Sequence, residues 1–178
     1  AVPTIVQSSV MSVGTMALQV IVNSAGIEYI NGYTVATTIF NLLLLPILAT
    51  SIGYETFASQ NIGAKEVMRV KEGYSFLIKE GLGVCIVLTV IDLFFSGTLM
   101  SMYSMDVTSD GYAFAKLYLL PMIPNFFLQL YKYSIEALLK ANLKMNLFAI
   151  SSVIALACRL VFAFLMQPVI GLQAMAWA

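Results

Sequence analysis

Long apolar runs separated by short polar breaks organise this chain. The runs cover residues 2–22, 33–58, 74–100, 112–138 and 146–166, and a further one starts at 171–178. A helix needs about 20 largely apolar residues to cross the hydrocarbon core of a bilayer, and each of the first five runs has that length. None alternates with a period of two, and all are too long for strands. The breaks read NSAGIEYING (23–32), QNIGAKEVMRVKEG (60–73), YSMDVTSDG (103–111), KANLKMN (140–146) and QPVIG (167–171). Their Gly, Pro, Asn and charged residues mark turns. A soluble helical bundle needs polar outer faces at helical spacing, and 82–100 has almost none. The pattern predicts an all-α, polytopic membrane helix bundle.

Composition sharpens this reading. Hydrophobic residues make up 60% of the chain and charged residues 10%, with a mean hydropathy of +0.91. Soluble domains run at about 45–50% and 25%, so the lipid bilayer is the expected partner. Zero formal net charge argues against nucleic acid, whose phosphates require a basic surface. The absence of histidine removes His-based triads, His proton relays and most zinc chemistry. Cys85 and Cys158 lie within apolar runs and read as small apolar fill. No nucleophile elbow or metal-ligand cluster stands out, and the GAK at 63–65 lacks the spacing of a phosphate loop. No enzyme activity, metal or cofactor is expected. The opening AVPTIV and the closing QAMAWA suggest a piece of a longer protein.

Orientation follows from Lys and Arg, which favour cytoplasmic loops. Lys65, Arg69 and Lys71 follow the second run, and Lys140 and Lys144 follow the fourth. The other breaks lack basic residues, apart from Lys116 at the start of the fourth run. The basic breaks are therefore placed in the cytoplasm, with Lys65, Arg69 and Lys71 as a topological anchor. Asn61 and Gly63 suit the turn that ends the helix before it.

Polar groups within membrane spans usually face a bundle interior or a watery cavity. In the fourth run Asn125, Gln129, Lys132 and Glu136 recur at steps of four, three and four, which places them on one helix face. Pro121 and Pro124 should kink the helix above this stripe. Asn125 and Gln129 are read as cavity lining. Lys132 and Glu136 either extend that lining or pair near the cytoplasmic end and snorkel. In the first run Ser8, Ser12 and Thr15 form a small-residue ridge for helix packing, while Gln7 and Gln19 are long enough to line a cavity or bond across helices. Thr37 and Asn41 share a face of the second run, ahead of Pro46. Met11, Phe126 and Tyr133 offer adaptable apolar and aromatic surface to cations. Asp92 and Arg159 are charges deep within the third and fifth runs. A mutual ion pair is the economical account of both, and titration of Asp92 during transport is the alternative.

The stretches PTIVQSSVMSVGTMALQVIVNSAG, TVATTIF, TFASQNIGAKEVMRVKEG and CRLVFAFLMQPVIGLQAMAWA resemble the multidrug and toxic compound extrusion (MATE) transporters, with the DinF-like bacterial branch nearest. The resemblance covers essentially the whole chain, and its Q-N-x-G-A element is the most specific part. It implies twelve helices in two six-helix lobes, of which this chain is the second, incomplete lobe. The N-terminal lobe of the same protein is then a partner. It also implies a multi-pass protein of the bacterial inner membrane that exchanges Na+ or H+ for organic, often cationic, compounds by alternating access. Some family members have Glu where this chain has Met11, many have Glu where it has Ala155, and many have Gln where it has Glu136. In DinF-like relatives the coupling acid usually lies in the first lobe, so the resemblance implies that the coupling-ion site is there and not in this sequence.

A multidrug antiporter is the leading expectation. A lipid-linked saccharide flippase of the same superfamily is the alternative within transport. Lys132 and Arg159 are the bases deepest within its runs, too few to meet a diphosphate, which weighs against it. A non-transporting membrane scaffold subunit is the alternative of another class.

Overall fold

The computed structural model describes residues 26–103 and 107–170, with isolated positions among the first 25 (Ser9, Ser12, Gly14, Met16, Gln19, Val20 and Asn23), and omits the side chains of Arg159, Ala163, Phe164 and residues 166–170. Gln7, Met11 and the run at 171–178 lie outside the described residues.

The apolar runs from 33 to 166 fold as helices. They are α1 (Ile27–Gly63), α2 (Val67–Met102), α3 (Asp110–Leu119), α4 (Met122–Ala141) and α5 (Met145–Ile170). Among the described residues there is no strand. The first two are longer than their apolar runs. At 37 and 36 residues each reaches roughly 55 Å, against about 30 Å of hydrocarbon. Charges cluster where the two helices meet, from Glu55 on α1 to Glu80 on α2. By length and composition α1, α2 and α5 can each cross a membrane, and α3 with α4, bent by 45° at their junction, is long and apolar enough for a fourth crossing if the pair acts as one span. The fold is a membrane helix bundle.

Local chemistry sets the breaks. α1 ends in a Schellman motif, with Lys65 N–H donating to the Ile62 carbonyl at 3.0 Å and Glu66 N–H to the Asn61 carbonyl at 2.8 Å. Gly63 remains helical. The left-handed position falls to Lys65, at φ 62°. The same motif closes α4, where Leu143 takes φ 55° and Lys144 N–H donates to the Leu139 carbonyl at 2.9 Å. Ser109 caps α3 by accepting from the Tyr112 N–H at 3.2 Å, as a serine before a helix should. The bend between α3 and α4 sits at Pro121, which cannot donate to the preceding turn.

The core lies between α1, the broken α3–α4 span and α2. α1 presents Tyr33, Ala36, Phe40, Leu43 and Ile47 at helical spacing. Three ring contacts run down its length: Tyr29 with Phe114 at 5.6 Å, Tyr33 with Tyr118 at 5.4 Å and Phe40 with Phe126 at 5.4 Å. Near the start of α1 Gly32 abuts the Gly111 backbone, and a β-carbon there would strike the Gly111 carbonyl oxygen. α2 packs against α4 through Cys85, whose Sγ lies 3.5 Å from the Phe126 carbonyl, and through Gly81, which accommodates Leu130. A smaller cluster of Tyr54, Ala58, Val70, Leu77, Ala137 and Ala141 continues the core toward the α1–α2 turn. α5 packs on α4, and Gly14 is buried against its Leu156.

Candidate functional site: the polar face of the broken span

The steps of four and three in the sequence do form one face of α4. Asn125, Gln129, Lys132 and Glu136 are all part-buried. The face starts just after the Pro121 bend and runs toward the Ala141 end of α4. Asn125 Nδ2 is turned back on its own helix, 3.7 Å from Met122 Sδ, a weak contact for an amide donor. Gln129 Oε1 is buried and has no hydrogen-bond partner among the described residues. A buried amide acceptor left without a donor costs about 1–3 kcal/mol. This acceptor is therefore ready for a donor brought by another group.

Below Gln129 the face becomes ionic. Lys132 Nζ lies 3.9 Å from Glu136 Oε1, and the Glu136 side chain keeps 13% of its surface exposed. One turn on, Lys140 Nζ lies 3.8 Å from Glu55 Oε2 on α1 and 4.6 Å from the centre of the Phe148 ring on α5. Lys140 thus ties α4 to both neighbours. Sequence reasoning stopped the stripe at Glu136 and assigned Glu55 no role. The step of four from Glu136 to Lys140 was the available signal for the first. The pairing with Glu55 depends on α1 and α4 running side by side, which spacing within one helix does not report.

The other candidate residues are spread more widely. Tyr133 is part-buried next to the stripe, with Lys132 Nζ 5.2 Å from its ring centre. Phe126 is fully buried in the core, stacked on Phe40, and presents no surface to a cavity. Gln19 is part-buried and Asn41 is exposed. Thr37 and Thr38 spend their hydroxyls on carbonyls of their own helix, at 2.8 and 2.7 Å. Lys65, Arg69 and Lys71 are exposed at the α1–α2 turn. Asp92 is 3% exposed, and its Oδ1 has no hydrogen-bond partner among the described residues. The expected partner, the Arg159 side chain, lies outside them.

The described residues contain no group of three or more His, Cys, Asp or Glu side chains placed to hold a metal ion. What the polar face offers is binding: a buried acceptor, part-buried amides and a short row of paired charges, all inside a membrane bundle. Comparison with curated proteins and with solved structures gives no match. The model of the MatE family, a family of membrane transporters, matches residues 3–165, and the chain belongs to that family.

Proposed function

We propose that this chain is the C-terminal lobe of a cation-coupled efflux antiporter of the DinF-like branch, resident in the bacterial inner membrane. It exports organic, often cationic, compounds in exchange for Na+ or H+, and the coupling site lies in the N-terminal lobe. The single observation that carries the reading is the α4 face, where the buried Oε1 of Gln129, without a partner among the described residues, lies on one stripe with Asn125, below a 45° bend between α3 and α4. Polar groups at that depth are costly unless they serve a cavity. A broken span gives such a face a place to flex. Gln7, Met11, Gln19, Asn41 and Tyr133 complete the lining on this reading.

The test is drug resistance in cells that express the complete protein. Gln129→Leu and Asn125→Leu should alter the resistance profile while leaving membrane abundance unchanged, because each replaces a part-buried amide by a side chain of similar size. Unaltered profiles for both variants overturn the assignment. Cells that express only these 178 residues should show no efflux, since half a cavity leaves a polar face toward lipid.

A further inference from the structure

On α2 the stretch from Gly81 to Met102 holds a single acidic or basic side chain, Asp92. These 22 residues rise about 33 Å, enough for the hydrocarbon core, and Asp92 stands near their middle. It is 3% exposed and continues the buried stripe of Leu77, Gly81, Cys85 and Leu88. This stripe and the α3–α4 span run in opposite directions. Gly81 meets Leu130, Cys85 meets the Phe126 carbonyl, and a β-carbon on Gly97 would come within 3.2 Å of Tyr112 Oη. Two turns beyond Cys85, about 10 Å along the axis, Asp92 is level with the junction where α3 ends at Leu119 and α4 begins at Met122.

That junction is rich in hydrogen-bond acceptors and poor in donors. The Leu117 carbonyl would ordinarily accept from the residue four later, which is Pro121 and has no N–H. The Leu119 carbonyl loses its ordinary donor too, because the Ile123 N–H donates to the Leu120 carbonyl at 3.3 Å. A carboxylate can satisfy itself at a helix start by accepting from the first N–H groups. Here Pro121 and Pro124 remove two of the donors that the start of α4 would offer. Asp92 Oδ1 has no hydrogen-bond partner among the described residues. On α2 itself Thr89 and Ser96, both part-buried, flank Asp92 at steps of three and four, so they share its face. Thr89 Oγ1 donates to the Cys85 carbonyl at 2.8 Å, which leaves that oxygen as an acceptor. Acceptor oxygens of two elements thus lie at the level of one buried carboxylate.

We propose that Asp92, with the carbonyl oxygens at the end of α3, forms a site for a monovalent alkali cation. A lone ionised carboxylate at this depth is costly, and one positive charge cancels it. A divalent ion would leave a net charge in the hydrocarbon core. A proton on Asp92 would satisfy one acceptor, whereas a metal cation satisfies several at once. Carboxylate, carbonyl and hydroxyl oxygens are the ligands that hard cations take. The C-terminal end of a half-helix adds its partial negative charge. The ion joins α2 to the bend between α3 and α4. Without the cation the carboxylate stands unpaired, and only then is it dispensable to stability. The inference needs only that the chain lies in a membrane, so it stands apart from what the protein exports.

Labelling of the complete protein in lipid vesicles with dicyclohexylcarbodiimide, an apolar reagent for carboxyl groups within membranes, tests it. Mass spectrometry of the Asp92 peptide reads the labelling in NaCl and in choline chloride at equal concentration and fixed pH. Labelling should fall about tenfold once Na+ reaches about ten times its dissociation constant, and choline should give no protection. Pro121→Ala restores an N–H to the Leu117 carbonyl while leaving Asp92 in place. It should raise the Na+ concentration for half-protection by at least about tenfold, the scale on which even an outer-shell partner of a metal counts. Equal labelling in the two salts overturns the proposal and leaves Asp92 as a proton site. Absence of labelling in both overturns it as well, since Asp92 is then already paired, with Arg159 the expected partner. An unchanged half-protection concentration in Pro121→Ala does the same, because the protection then arises elsewhere in the protein.

Discussion

Two glycines of α1 should respond to the same substitution with opposite signs. In a helix, alanine is favoured over glycine by about 1 kcal/mol. At Gly53 nothing stands within 4 Å of an added β-carbon, so Gly53→Ala should keep most of that gain. At Gly32 the new atom meets the carbonyl oxygen of Gly111. That obstacle is backbone in a neighbouring helix and cannot rotate away. Overpacking in a well-packed interior costs about 1–3 kcal/mol, and a rigid obstacle belongs at the upper end. Gly32→Ala should therefore be destabilised by about 1–2 kcal/mol after the helix-propensity gain. The two variants then differ by about 2–3 kcal/mol, or 5–10 °C in Tm at about 2–4 °C per kcal/mol for a chain of this size. Thermal loss of the monodisperse peak of the purified complete protein in detergent measures the difference. Equal melting temperatures would refute the close crossing of α1 and α3.

Leu143 is 85% exposed and sits at φ 55°, so Leu143→Gly should raise stability by about 1 kcal/mol, the cost of a left-handed residue with a β-carbon; a lower Tm refutes the strain. Glu55→Gln should change stability by less than about 1 kcal/mol, because the 3.8 Å pair with Lys140 is partly exposed; denaturation of the variant measures it. Asp92→Asn should hold or raise Tm, since Asp92 Oδ1 is buried without a partner among the described residues; a clear fall would reveal a partner, with Arg159 the expected one. Cys85 is fully buried, so its thiol should react with a maleimide only as the protein unfolds, at a rate that tracks thermal denaturation.

The helical membrane architecture was legible in the sequence because it depends on run length and hydropathy, which are local. The α4 stripe was legible for the same reason, as was the proline break above it. What required the structure was contact between elements. Asn41 shares a helix with the core residues Ile39 and Phe40 yet is exposed, since which face is buried depends on where α3 and α4 pack. Phe126 was read as cavity surface and belongs to the core, because an aromatic side chain suits either place. Gly63 suited the end of α1 by residue type, but the helix runs past it and places the left-handed turn on Lys65.

The break between α3 and α4 bears on how the protein is made. At 10 residues α3 rises about 15 Å, half of what a membrane crossing needs. It cannot settle across the bilayer as an independent helix. α1, which is synthesised earlier, is long and apolar enough to do so, and it carries the rings of Tyr29, Tyr33 and Phe40 that receive Phe114, Tyr118 and Phe126. The early helix therefore acts as an internal guide for inserting the late, broken one. Damage to that row of rings should appear first as misthreaded, rapidly degraded protein.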